Sequence, residues 1–119
     1  MSLPIKIYKQ FEVVVVPFPF TDSGAVKRRP ALVLSDEVAF NVASGRSVLA
    51  MITTVKPSSW VLDVLIEDLE AVGLKHPSSI RMKLFTLDNP LIIKSIGHLA
   101  EVDRVSVEKA LKKLFCLTN

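Results

Sequence analysis

Apolar residues fall along this chain in short runs divided by proline, glycine and small polar residues, and most runs are too short for helices. Residues 11–18 open with Phe11 and pass through four consecutive valines, Val13–Val16. Pro17 and Pro19 close this run, because each removes a backbone donor and fixes φ. Thr21–Lys27 holds Asp, Ser and Gly, which favour loops through local side-chain hydrogen bonds and freedom at positive φ. A basic cluster, Lys27-Arg28-Arg29, sits on the shoulder of that loop, and a second strand is expected at about 30–35. Asp36–Gly45 is expected to hold a helical turn, with Asp36 as its cap, Phe40 pointing inward and Gly45 as its stop.

Residues 47–54 form a continuous apolar run ending in Thr53-Thr54, and predict a third strand. Lys56–Ser59 is a turn. Trp60, Leu62, Val64 and Ile66 then alternate with their neighbours, which predicts a strand over 60–66. Glu67–Leu74 is short, with Gly73 as a helix stop. After the His76-Pro77-Ser78 turn, residues 79–85 put Ile80, Met82 and Leu84 on one face and Arg81 and Lys83 on the other. Asp88-Asn89-Pro90 turns the chain into a further strand or edge over 91–96. The period then changes. Val107, Ala110, Leu111, Leu114 and Phe115 recur at helical spacing, with lysines outside and Asp103 as the expected N-cap. Many short strands and one terminal helix predict a mainly β fold with α: a small, partly open β-barrel with a C-terminal helix packed on it.

The 119 residues suit a single domain, 1–119, with 1–10 as a flexible lead-in. Half of the chain is hydrophobic and its mean hydropathy is +0.41, yet no apolar run free of charge and proline approaches the length of a membrane span. No signal peptide is visible at the start. The single cysteine, Cys116, fits a reducing, cytoplasmic setting. The net charge of +3 and pI of 9.2 permit a nucleic-acid partner without demanding one.

Several chemistries drop out. Two histidines, His76 and His98, and one distant cysteine offer no metal-ligand spacing, so neither a metal nor another cofactor is expected. The four glycines are scattered, and no phosphate-binding loop or Gly-x-Ser-x-Gly elbow is present. Hydroxyl, guanidinium and carboxylate chemistry remains. If strands two and three pair symmetrically about residue 41, Ser35 faces Ser47 and Arg29 faces Thr53. A cation and a hydroxyl then meet at the open end of a hairpin. That pair suits RNA cleavage by the substrate's own 2′-OH, where the protein must stabilise phosphoryl charge and move protons.

Three stretches carry a family resemblance: Phe11–Val16 with the loop to Arg29-Pro30-Ala31-Leu32-Val33-Leu34, the strand Ala50-Met51-Ile52-Thr53, and Phe85-Thr86-Leu87-Asp88 with the strand and helix after it. Together they resemble the MazF/PemK toxins over about Phe11 to Phe115. The resemblance implies the SH3-like MazF/PemK/CcdB-like toxin barrel. It implies the toxin component of a type II toxin-antitoxin system, a homodimer with a cognate antitoxin partner. Its activity would be metal-independent endoribonuclease cleavage of single-stranded RNA to 2′,3′-cyclic phosphate and 5′-OH ends. The family's catalytic arginine falls on Arg29 and its catalytic hydroxyl on Thr53. Lys27, Arg28, Thr54, Lys56 and Lys83 are the expected RNA contacts. Two positions depart from the family pattern. Gly24 stands where many members have glutamate, which leaves Asp22 as the loop candidate for a base. Phe85 stands where many have arginine. Both departures keep open an alternative, an inactive binding module of the same fold that acts on a protein target, like the gyrase-binding toxins. Phe18, Phe20 and Trp60 read first as packing aromatics and second as platforms for bases.

Overall fold

The computed structural model describes residues 6–18, 27–55 and 60–118. Six strands, β1 (Glu12–Phe18), β2 (Lys27–Val33), β3 (Arg46–Thr54), β4 (Val64–Leu65), β5 (Ser78–Asp88) and β6 (Lys94–His98), form one antiparallel sheet in the order β4-β5-β3-β2-β1-β6. The sheet curls into a half-barrel, and α1 (Glu101–Leu114) packs against it. This is the partly open barrel with a C-terminal helix that the strand pattern predicts.

Both faces of the sheet are buried over much of its area, and this explains the continuous apolar runs. Val13, Leu32, Ala50, Ile52 and Ile80 face a core closed by Val107 and Ala110 of α1. Their chain neighbours Val14, Val33 and Leu49 face a second core, covered by Tyr8, Leu87 and Ile92. A strand buried on both faces has no polar alternation to display. Tyr8 is 2% exposed, so the lead-in contributes to this second core.

Other expectations change. Strand two starts at Lys27, so the basic cluster lies within β2 rather than on a loop shoulder. Residues 60–66 do not form one strand. Leu62 takes φ +67°, Asp63 N–H donates to the Trp60 carbonyl, and only Val64–Leu65 pairs. The turn at Glu37–Val42 is π-helical and Asp36 caps it, accepting from Val38 and Ala39 N–H. Its buried residue is Asn41, with Phe40 only half-buried, because the Asn41 amide donates to the Tyr8 and Ser35 carbonyls. The 67–74 segment is a set of turns, not a helix, and Gly73 ends it at φ +69°.

Asp103 is not the N-cap of α1. Ala100 holds that position, and Asp103 lies in the first turn, fully buried. Its two carboxylate oxygens accept from Glu67 N–H at 2.8 Å and Asp68 N–H at 3.0 Å. The carboxylate thus ties the 67–74 segment to the helix. Among the described residues no helix is long and apolar enough to cross a membrane.

Candidate active site

The register of the β2–β3 hairpin decides what meets at its open end. Ala31, Leu32 and Val33 pair with Met51, Ala50 and Leu49, a register symmetric about residue 41. Leu34 N–H donates to the Val48 carbonyl at 2.8 Å. Alternate residues of an antiparallel strand donate to the same neighbour, so residue 30 would donate to β3 as well. Residue 30 is proline and has no N–H. The β2–β3 ladder ends at Ala31 for that reason, while β2 stays paired to β1 back to Lys27. The two strands part beyond Pro30 and leave a cleft.

That cleft is about 240 Å³. Arg29 and Pro30 line it from β2, Ile52, Thr53 and Thr54 from β3, and Leu74, Lys75, His76 and Ser78 from the segment entering β5. Two main-chain contacts seat this last segment. Val55 N–H donates to the Pro77 carbonyl at 3.0 Å, and Thr54 pairs with Ser78. The Ser78 hydroxyl donates to the His76 carbonyl at 2.8 Å. The Thr53 hydroxyl makes one contact among the described residues, a long 3.5 Å approach to the Thr54 carbonyl, so it is available to a ligand. The Arg29 guanidinium lies over the Phe18 ring at 5.6 Å, and Arg29 is exposed.

Strand alternation sorts the remaining cations. Arg29 pairs with Val16 and Lys27 with Phe18, which puts both on the second-core face of the sheet. Arg28 pairs with Pro17 and falls on the opposite face. On β5, Arg81 pairs with Met51, and Arg81 and Lys83 share the face of Arg29. A compact assembly forms there. Asp63 accepts from both Arg81 Nε at 3.2 Å and Nη2 at 3.0 Å, and also from Trp60 N–H at 3.0 Å. The hydrogen bonds that Arg81 donates to Asp63 hold its guanidinium above its ordinary pKa, against a smaller pull from burial. Arg81 and Lys83 lie over the Trp60 ring at 5.7 Å and 5.3 Å, and Trp60 is 46% exposed.

Of the expected site residues, the structure brings Arg29, Thr53 and Thr54 together at the cleft. Lys27 and Lys83 lie on the same sheet face, and Arg28 does not. Asp22 and Lys56 lie outside the described residues. Phe85 packs against the second core, opposite Leu49. Asp88 is paired with Arg46 at 2.9 Å, at the other end of β3 and β5 from Thr53. Lys75, His76 and the Trp60 assembly were missed. The signal for His76 was the two hydroxyls at 53–54 facing the strand that starts at Ser78, but a connection of over twenty residues hid that pairing. A larger groove, about 420 Å³, lies between β1, β6 and α1, with Lys9, Glu12, His98 and Arg104 among its lining residues.

A family profile described as PemK-like, MazF-like toxin of type II toxin-antitoxin system matches residues 9–115. A sequence search of curated proteins finds no significant match. Solved structures with the same fold include Mycobacterium tuberculosis toxin MazF-mt6, at 21% identity and a TM-score of 0.71, covering 91% of this chain and 99% of that one. A mycobacterial endoribonuclease in complex with its cognate antitoxin aligns at 15% identity and a TM-score of 0.74, over 94% and 98% of the two chains. The Deinococcus radiodurans MazE-MazF complex aligns at 18% identity and a TM-score of 0.72, over 95% and 99%.

Proposed function

The chain belongs to the PemK-like, MazF-like toxin family of type II toxin-antitoxin systems, and from that premise we propose that it is an endoribonuclease that cleaves single-stranded RNA without a metal ion. The observation that carries this reading is the meeting of Arg29 and Thr53 at one cleft. In the proposed reaction the RNA 2′-oxygen attacks the adjacent phosphorus. The P–O2′ bond forms, the P–O5′ bond breaks, and the products end in a 2′,3′-cyclic phosphate and a 5′-OH. The nucleophile comes from the substrate, so the protein's task is charge stabilisation and proton transfer. The Arg29 guanidinium donates two parallel hydrogen bonds to the non-bridging oxygens, a geometry an ammonium cannot match. The Thr53 hydroxyl donates to the same oxygens. Lys27 and Lys83 hold the flanking backbone on the shared face, and Trp60 offers a stacking surface.

The proposed partners are RNA, a cognate antitoxin that covers the cleft, and a second copy of the chain. Phe115 and Leu117, both more than half exposed, border an apolar cleft of about 260 Å³ with Leu34, Val48, Leu84 and Leu111, a surface suited to the dimer contact. The proposed location is the cytoplasm, where RNA is available. The test is incubation of wild type and Arg29→Ala with a long mixed-sequence RNA in EDTA, with the product ends identified. Cleavage to cyclic phosphate ends by wild type, reduced roughly 10²–10³-fold in Arg29→Ala, is the expected result. Equal cleavage by both proteins would remove Arg29 from the site.

One observation favours a second reading. Phe85, where a cation would reach phosphate, is committed to the second core. An inactive module that binds a protein target would leave every RNA intact while holding that target tightly.

A further inference from the structure

The cleft holds more than the two residues that stabilise charge. We propose that His76 is the general base that takes the proton from the attacking 2′-OH; this rests on the ribonuclease reading of the same cleft. Two protons must move in the reaction, one off the 2′-oxygen and one onto the departing 5′-oxygen. Arg29 cannot accept a proton, because guanidinium stays charged at all working pH. The hydroxyls of Thr53, Thr54 and Ser78 are too weakly basic. Lys75 is a cation at neutral pH and suits the phosphate instead. No Asp or Glu lines the cleft among the described residues. His76 is therefore the one described lining side chain able to accept a proton near neutrality.

Its placement follows from the main chain. The Val55–Pro77 hydrogen bond and the Thr54–Ser78 pair fix the 76–78 segment beside the end of β3, and the Ser78 hydroxyl holds the His76 carbonyl. The groups that share the cleft with the imidazole are Arg29 from β2, Thr53 and Thr54 from β3, and Lys75 and Ser78 from its own segment. Both charged neighbours are cations, which draw the RNA phosphate in without competing for the proton. In the proposed step the neutral imidazole takes the 2′-proton as the P–O2′ bond forms. Water protonates the 5′-oxygen as the P–O5′ bond breaks.

The test compares wild type, His76→Asn and Asp22→Asn on one fluorescent RNA that wild type cleaves, with kcat and KM measured from about pH 5 to pH 9. His76 is exposed, so its replacement leaves the fold intact, and circular dichroism checks this. The expected wild-type kcat rises with pH along one limb and levels off. His76→Asn loses that limb, its kcat falls roughly 10²-fold or more, and its KM stays within about twofold. Added imidazole raises the rate of His76→Gly. A limb that persists in His76→Asn, or that disappears in Asp22→Asn instead, overturns the assignment and leaves the ribonuclease reading standing. A limb that falls with rising pH overturns the base role. Failure of wild type to cleave any RNA overturns both.

Discussion

The Arg29 guanidinium lies 5.6 Å from the centroid of the Phe18 ring, across the β1–β2 pair. An exposed arginine side chain samples many rotamers, and ordering it on binding costs free energy. A ring beneath the guanidinium reduces that cost by holding the side chain near its working position. Contacts of this kind at exposed sites contribute about 0.5–1 kcal/mol. Phe18→Leu is therefore expected to lower kcat/KM by roughly two- to fivefold while leaving stability nearly unchanged. Phe18→Tyr, which keeps an aromatic face, is expected to keep most of the activity. Steady-state cleavage of a short RNA reads both. Equal rates for Phe18→Leu and wild type would mean that the ring does not position the guanidinium.

Thr53 carries its hydroxyl at the place where β2 and β3 part, with a single long internal contact. Thr53→Val keeps the shape and removes the donor. Loss of one neutral donor to a charged phosphoryl oxygen is expected to slow kcat by roughly 10- to 100-fold. The urea midpoint should hardly move, since the hydroxyl supports no structural hydrogen bond. A Thr53→Val protein with wild-type kcat would assign the oxygen contact to Arg29 alone.

Much of this was legible in the residues, and the misses have physical causes. The strands at Val13–Val16 and Leu49–Ile52 are continuous apolar runs because neighbours such as Val13 and Val14 face different cores. The hairpin register was legible because β2 and β3 are consecutive strands paired symmetrically about residue 41, which brings Arg29 and Thr53 to the same open end. Residues 60–66 misled because Leu62 adopts a positive φ, which an alternating pattern cannot reveal for a non-glycine residue. Asp103 misled because a carboxylate one turn inside a helix can serve a distant segment as well as its own terminus. Charge clustering in sequence also hid a division, since adjacent strand residues such as Arg28 and Arg29 must face opposite ways. His76 stayed hidden because its neighbours in space come from β2 and β3, over twenty residues earlier.

Trp60 is a platform held in place by one carboxylate. Asp63 accepts from the Trp60 backbone and from the Arg81 fork, so ring and guanidinium are fixed relative to each other. Base stacking on an aromatic residue is worth roughly 1–3 kcal/mol. Trp60→Ala is expected to weaken RNA binding by about 5- to 100-fold, and Trp60→Phe by much less. Lys83→Ala should instead reduce the slope of log affinity against log salt by about 1, the signature of one lost phosphate contact. Filter binding with an uncleavable 2′-deoxy analogue measures all three. Unchanged affinity for Trp60→Ala would place the RNA elsewhere on the sheet.

Tyr8 links stability to alkaline pH. Burial in the second core raises its phenol pKa above the ordinary value, and the nearby Glu12 carboxylate raises it further. Below the unfolded value, near pH 10, the phenol is neutral in both states and costs nothing. Above it, the unfolded chain releases the proton more readily, so stability falls as pH rises. Tyr8→Phe is expected to abolish that part of the alkaline decline while lowering stability little at pH 7. Urea midpoints from about pH 8 to pH 11 test this, and the same slope in both proteins would assign the decline to other groups.

Asp103 is the last link, because it ties the helix to the segment that leads into His76. Its carboxylate is fully buried, and each oxygen takes one backbone N–H, from Glu67 and Asp68. Hydrogen bonds to a charged acceptor contribute about 1.5–3 kcal/mol each, and removal leaves the two donors buried without a partner. Asp103→Ala is therefore expected to cost about 2–4 kcal/mol, read as a lower urea midpoint at unchanged slope. Asp103→Asn should recover little, since its amide presents a donor where one of the N–H groups already points. The 67–74 segment runs directly into Lys75 and His76, so its loosening should also lower kcat below the fraction lost to unfolding. An Asp103→Ala protein with the wild-type midpoint and full activity would show that the turns after β4 hold themselves, without the helix.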